Sequence, residues 1–305
     1  MRRVPGAVST RAGCAAGGGW PLCSTAARSM RHHRQMIDLD AYLARIGVTG
    51  PLPVSRQTLD VLSEAHARTI PFENLDVLLG RPIELTPEAI ERKLVHARRG
   101  GYCFEQNALF LAVLKQLGFE ARPISARVRV QQPRDYTPAR THLFLRVELD
   151  GASWLVDVGV GGLSLTSAIR LDTEEAQETA HEPRRIVREA GRLFHQAWFA
   201  DAWNDVCEFT LEEMPEIDRI VGNWYTSSHP SSHFRSRLIA ARAGQGGERR
   251  TLLNRELTIR RRGVVAERRE LGDPDELLAV LAEHFGLELP PGTRFTCPAL
   301  DWPHS

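Results

Sequence analysis

The chain has 305 residues, 42% hydrophobic and 25% charged, which is the balance of an ordinary globular protein and not of a disordered or fibrous one. Thirty-nine Lys and Arg against 38 Asp and Glu leave a net charge of +1, so no strong field argues for nucleic acid or an anionic membrane surface as partner. No apolar run reaches about 18 residues, so the sequence offers no membrane-spanning helix.

The charge is unevenly spread. Residues 1–35 hold six Arg and no acid, and removing them from a net +1 leaves the remaining body at about −5. This segment is rich in Gly, Ala and Ser and lacks an apolar core like that of a secretory signal. It reads as a disordered extension, or as sequence upstream of a natural start at Met36; a transit peptide is the rival reading. The five cysteines (Cys14, Cys23, Cys103, Cys207 and Cys297) are odd in number and scattered, with no CxxC. Neither a disulfide framework nor a zinc site is expected, and a reducing, cytoplasmic setting fits better.

In chain order, Asp38 caps a helix through Leu39, Tyr42, Leu43 and Ile46 that Gly47 ends. Ser55 opens a second helix with Leu59, Leu62 and Ala65. Ile70–Leu75 reads as an apolar loop with a proline stop. Pro87 suits the first turn of a third helix, through Ile90 and Leu94. Cys103–Leu117 is strongly apolar and ends at Gly118. The period then changes to two: Ile124–Val130, Leu143–Leu149 and Trp154–Val158 alternate, with Asp150-Gly151 as a hairpin turn between the last two. Further strands are expected at Arg185–Glu189, Leu193–Phe199 and Val206–Leu211. Thr226–Ser236 is polar. A hairpin follows at Leu257–Ile259 and Val264–Glu267, then a helix over Glu276–Phe285 opened by Asp273-Pro274. Ala241–Arg250 reads as a mobile surface loop.

Cys103 follows Gly100, Gly101 and Tyr102 and opens an apolar helix. The unpaired amides and the dipole at that end favour a thiolate. A buried, inert thiol fits the same local context. The hairpin adds a second argument. With a two-residue turn at Asp150-Gly151, His142 faces Gly159, and Asp157 lies diagonally from His142 on the same face. An imidazole beside a carboxylate is how a base is oriented. Asp157 also sits inside the apolar run Trp154–Val158, where a charge needs a partner. Gly159, Gly161 and Gly162 are not followed by a clear helix, so a dinucleotide fingerprint is rejected, and neither a Walker sequence nor HExxH is present.

Arg99-Gly100-Gly101-Tyr102-Cys103-Phe104-Glu105-Gln106-Asn107 closely resembles the cysteine motif of the arylamine N-acetyltransferases. Ile70–Leu75 resembles their upstream signature, and Thr141–Leu145 and Val156–Gly159 their His and Asp strands. Asn223–Tyr225 through His229–Phe234 is similar to a further block. The resemblance runs from about Ile37 to the C-terminus and is of the bacterial type, without the long insert of some animal members. It implies an α+β fold with a papain-like Cys-His-Asp core: a helical bundle over residues 36–120, a β-barrel over 121–235 and an α/β lid over 236–305. It implies acetyl-CoA as co-substrate, no permanently bound cofactor, no metal, and ping-pong acetylation of aromatic amines and hydrazines. Cys103 is then the acetyl acceptor, His142 the base and Asp157 the orienting acid. Phe72, Phe104, Thr141 and Phe144 are candidate substrate-lining residues, and Tyr225 and Ser231 fall where some relatives touch CoA. A transglutaminase-like thiol hydrolase, an amide synthase closing a macrocycle and a non-catalytic binding module are the competing readings. The oligomeric state, a homodimer included, is left open.

Overall fold

Capping side chains start the first helices where the sequence expects them. The computed structural model describes residues 36–302; the extension over 1–35 and residues 303–305 lie outside the described residues. Helix α1 (Leu39–Ile46) begins with the Ala41 amide donating to Asp38 at 2.9 Å. Ser55 caps α2 (Arg56–Thr69), and Thr86 caps α4 (Pro87–Glu91), which runs on into a wide π turn over Arg92–His96. Between them lie the two-residue strand β1 (Phe72–Glu73) and the short helix α3 (Leu75–Leu78). The Ile70–Leu75 segment is therefore not simply a loop: β1 pairs with a strand from the far end of the chain.

Helix α5 (Cys103–Gln116) is the hinge of the architecture. It is buried on nearly every side, so even Glu105, Gln106 and Asn107 are out of water. Its apolar residues Phe110, Val113 and Leu114 share one core with Leu59 and Leu62 of α2 and with Leu145, Val147 and Val156 from the adjoining sheet. The three buried polar groups each need a partner in the fold, and those partners build the site described below.

That sheet has seven antiparallel strands: β2 (Glu120–Val128), β3 (His142–Leu149), β4 (Ala152–Val156), β5 (Ile169–Arg170), β6 (Arg184–Glu189), β7 (Arg192–Phe199) and β8 (Ala202–Glu213). Their order is β5-β4-β3-β2-β8-β7-β6. The two outer strands nearly meet. Gln177 links them, pairing its backbone with Arg184 at 2.7 and 2.9 Å and its side-chain amide with the Arg170 backbone at 2.6 and 3.0 Å. The expected barrel is thus an almost closed one. The β3–β4 hairpin turns at Asp150 (φ 52°) and Gly151 (φ 73°), and Leu149 pairs with Ala152 as the sequence predicts.

The second sheet is β1-β9-β10-β11-β12, with β9 (Ile239–Ala243), β10 (Glu248–Leu253), β11 (Glu256–Arg261) and β12 (Val264–Glu270). Helix α8 (Pro274–Phe285) packs Leu277, Val280, Leu281 and Phe285 against Leu238, Ala240, Leu252 and Leu257. Two sequence expectations fail here. Ala241–Arg250 is not a mobile loop but most of a hairpin, because its charges are paired: buried Arg249 reaches Glu182 at 2.7 and 2.9 Å, and Glu248 accepts from Arg250 at 2.7 Å. Within residues 121–235, expected as barrel, the stretch from 216 onward is instead mostly helix: α6 (Glu216–Ser228) and the start of α7 (His233–Ser236).

Glu182 fastens β10 to the start of β6. Burial pushes its carboxyl up, but Arg184 and Arg249 overcome this and hold it down at about 2 from an ordinary 4.5. A carboxyl depressed by folding stabilises the fold above its unfolded value and loses that contribution as the pH falls through the folded one. Glu182→Gln is expected to lower the urea midpoint clearly at pH 7 and progressively less as pH falls below 4.5 toward 2. An equal deficit at both ends of that range would show that packing, not charge, is at stake.

Candidate active site

Three elements meet at the N-terminus of α5. Cys103 opens the helix and is almost buried. His142 starts β3, and Asp157 directly follows β4. The hairpin register sets His142 and Asp157 on one face, and the His142 Nε2 lies 2.7 Å from Asp157 Oδ2. Nδ1 is thereby the nitrogen left for Cys103, which stands close enough to the imidazole to help raise its basicity. The thiol also lies 3.6 Å from the Thr141 carbonyl oxygen.

The electrostatics follow from this contact order. Burial alone pulls the His142 imidazolium down, but the Asp157 charge and hydrogen bond, with Cys103 beside it, raise it well above the usual histidine range. Burial likewise pushes Asp157 up, and His142, Asn107 and the Gly159 amide outweigh that and hold its carboxyl low. The imidazole is therefore the strong base of the site, and it stands beside the Cys103 sulfur at the start of α5.

Asn107, one helical turn after Cys103, locks the arrangement. Its Nδ2 donates to the Leu143 carbonyl at 2.7 Å and to Asp157 Oδ1 at 3.0 Å, and its Oδ1 accepts from the Val158 amide at 3.2 Å. One amide side chain thus ties the helix bearing Cys103 to both strands. The Gly159 amide donates to Asp157 Oδ1 at 3.0 Å. A Cβ on Gly159 would lie 2.7 Å from Asn107 Nδ2 and 2.9 Å from the Cys103 Cα, so only glycine allows this approach. Gln106 fixes the other flank. Its Nε2 donates to the Pro71 and Gly101 carbonyls at 2.8 and 3.1 Å, and its Oε1 accepts from His66 Nε2 at 2.7 Å. Burial holds His66 near 4, so it stays neutral and takes the Tyr42 hydroxyl on Nδ1 at 2.9 Å.

Beneath the site, the Cys207 thiol shares a 4.8 Å neighbourhood with ligand-type atoms of His142 and Asp157. Burial pushes this thiol well up, so it is a neutral neighbour. Both Asp157 oxygens are already engaged, by His142 on one side and by Asn107 and Gly159 on the other. The set reads as a hydrogen-bonded relay and not as a metal cage.

The remaining candidates divide. Thr141 and Tyr225 line one cavity of about 340 Å³, although the sequence reading gave them to different substrates; Cys103 is not in its lining and adjoins it through the Thr141 carbonyl, 3.6 Å from the sulfur. Phe72 packs near Cys103 and Phe234, with the two phenyl rings 6.0 Å apart. Phe104 and Phe144 are fully buried and back the site from the core. Phe104 supports Tyr102 edge-on, and Phe144 supports the His142 ring at 5.6 Å. Ser231 is exposed and donates its amide to His229 at 3.2 Å; it does not line the Thr141–Tyr225 cavity. The sequence reading missed the roles of Asn107, Gln106 and His66. The only signal for the first two was their place in an amide pair directly after the cysteine turn.

The N-acetyltransferase family profile matches residues 56–294. An arylamine N-acetyltransferase of Escherichia coli is 43% identical over 249 residues, covering 82% of this chain and 88% of that one. The solved arylamine N-acetyltransferase of Salmonella typhimurium superposes with a TM-score of 0.79 at 36% identity, covering 87% of this chain and 97% of that one. The Mycobacterium marinum enzyme, solved in complex with CoA, gives 0.78 at 41% identity over 82% and 92% of the two chains. With this coverage and a common architecture, the chain belongs to the arylamine N-acetyltransferase family.

Proposed function

We propose that the protein transfers the acetyl group of acetyl-CoA to aromatic amines and aromatic hydrazines through an acetyl-cysteine at Cys103. The observation that carries this reading is the His142–Asp157 pair beside Cys103, whose sulfur lies 3.6 Å from the carbonyl of the residue before His142, at the start of a buried helix. Cys103 thiolate attacks the thioester carbonyl, and the oxyanion develops next to the unpaired amides of the first turn of α5. The tetrahedral adduct collapses, the C–S bond to CoA breaks, and the leaving thiolate takes the proton held on His142. The amine nitrogen then attacks acetyl-Cys103, His142 Nδ1 accepts its proton, and the acetylated amine departs as the thiolate re-forms. Asp157 stabilises the imidazolium in both halves. Because donor and acceptor visit Cys103 in turn, a single adjoining cavity holding both Thr141 and Tyr225 suits the scheme. Hydrazines qualify because their terminal nitrogen is a strong, small nucleophile. Unpaired cysteines at 103, 207 and 297 fit a reducing, cytoplasmic setting.

Incubation with acetyl-CoA is expected to add one acetyl group to the peptide carrying Cys103, as read by mass spectrometry. An aromatic hydrazine should discharge it, and Cys103→Ala should carry none. An equal adduct in that variant, or none in the wild type, overturns the proposal. Discharge by water as fast as by amine would favour a hydrolase.

A further inference from the structure

We propose that the cavity beside Cys103 selects acceptors by charge: it admits aromatic amines and hydrazides with neutral or cationic substituents and discriminates against those bearing a carboxylate. This deepens the acetyltransferase reading above and rests on it. The cavity is bounded by Thr141 on one side, next to His142, and by Tyr225 of α6 on the other. Three carboxylates, Glu212, Glu213 and Asp218, stand on its wall against a single guanidinium, Arg140. Arg140 is itself engaged, with Nη1 3.7 Å from Glu212. Among the described residues no ion pair involves Glu213 or Asp218. The wall is therefore net negative and lies within a Debye length of whatever occupies the cavity.

The consequence differs for the two substrates. The donor carries its negative charge on phosphates at the end of a long arm, so only the uncharged thioester end needs to enter. A small aromatic acceptor has no such reach. Any substituent opposite its amine projects into the same cavity and meets the wall. An anionic group there pays repulsion from two unpaired carboxylates, whereas an amide or ammonium finds hydrogen-bond acceptors. The apolar part of the lining, Met214 and Val221, accepts the ring in either case.

The test compares 4-aminobenzoate with 4-aminobenzamide, which share a shape and differ by one charge. The readout is the ratio of their kcat/KM values, so intrinsic differences in amine reactivity cancel between enzyme forms. Glu213→Gln/Asp218→Asn is expected to shift this ratio by about five- to tenfold toward the acid relative to wild type, as two like charges removed from a partly screened site imply. High salt should produce part of the same shift in the wild type and little in the variant. Both residues are exposed, so the substitutions do not threaten the fold. A ratio unchanged by the double substitution overturns the inference, as does a shift that salt does not reproduce. So does a wild-type preference for the acid that Arg140→Gln abolishes, because Arg140 would then be the receptor of the carboxylate. If the wild type acetylates neither compound and forms no acetyl-Cys103, the acetyltransferase reading itself has failed.

Discussion

Replacing Asp157 with Asn is expected to lower kcat/KM by about 10³–10⁴-fold while the protein stays folded. The substitution conserves volume, and the new side-chain oxygen can still accept from Asn107 Nδ2 and the Gly159 amide, now at 3.0 Å each. The amide nitrogen then faces His142 Nε2, where Asp157 Oδ2 now sits at 2.7 Å. Two amide protons in that direction force Nε2 to accept, so the ring proton moves to Nδ1, the face that must receive a proton from Cys103. The charge also disappears. With the Asp157 carboxylate gone, burial is left as the dominant influence on His142, and the imidazole is no longer the strong base that serves Cys103. Two measurements check this. Thermal melting should move little, and the rate of Cys103 alkylation by iodoacetamide near neutral pH should fall together with kcat/KM. Wild-type alkylation and turnover in Asp157→Asn would make Asp157 a structural residue only.

Much of the fold was legible because local chemistry and burial agree. Asp38, Ser55 and Pro87 announce helix starts, and all three are used as read. The Asp150-Gly151 turn set the β3–β4 register, and with it the side of the sheet on which His142 and Asp157 meet. Helix α6 shows where this logic breaks. Its exposed face carries Ile217, Ile220, Val221 and Trp224, while Gly222, Asn223 and Thr226 point inward. A reading that puts apolar residues inside therefore finds no helix there. The inverted pattern has specific causes: a Cβ at Gly222 would meet the Phe104 ring tip at 2.6 Å, and Asn223 bonds the Tyr102 hydroxyl and the Ile83 carbonyl. Pro215 followed by Glu216 and Asp218 was the surviving signal of a helix start. The strands at Ala241–Arg250 failed for the complementary reason. ARAGQGGERR has the composition of a loop, and only Glu182, far away in sequence, makes Arg249 a buried residue.

The site divides along the same line. Cys103 and the His142–Asp157 pair were visible because a helix start and a hairpin are local features. Asn107 was visible as a letter in a motif but not as a function, since its partners Leu143 and Asp157 lie 36 and 50 residues away. The charged residues around the start of α5 were less visible still. Glu73 of β1, Asp76 of α3, Lys93 of the π turn and Arg99 just before α5 come from separate elements, and nothing in their spacing says that they converge.

That convergence makes Lys93→Met a strongly destabilising change. Lys93 Nζ lies 2.7 Å from Glu105 Oε1 and 2.9 Å from Asp76 Oδ2. Arg99 spans Glu73 at 2.7 Å and Asp76 at 3.2 Å, and among the described residues only Arg81 adds a further cation, at the rim. The partners respond unequally. Despite burial, Lys93 is held firmly as an ammonium by three carboxylates, whereas Glu105, more deeply buried and close to Glu73, still sits above the usual carboxylate range. Methionine keeps the length of the stem and removes the charge, leaving Glu105 buried without a cation. A broken buried pair costs about 3–5 kcal/mol. The sign of its pH dependence is fixed. Glu105 would rise further, and a carboxyl whose folded value lies above its unfolded one favours the fold in acid and loses that advantage as pH rises. Asp76, held low partly by Lys93, would be held less low, which also reduces stability most at neutral pH. The wild-type-to-variant gap in melting temperature should therefore be widest near pH 7 and narrow toward pH 5, with Lys93→Arg recovering most of it. A gap that does not change with pH would assign the loss to packing. The damage should also reach Cys103, because Glu105 Oε2 accepts the Tyr102 amide at 3.1 Å and so sets the turn that presents Cys103. A protonated Glu105 accepts that bond more weakly, and acetylation of Cys103 in the folded variant should slow accordingly.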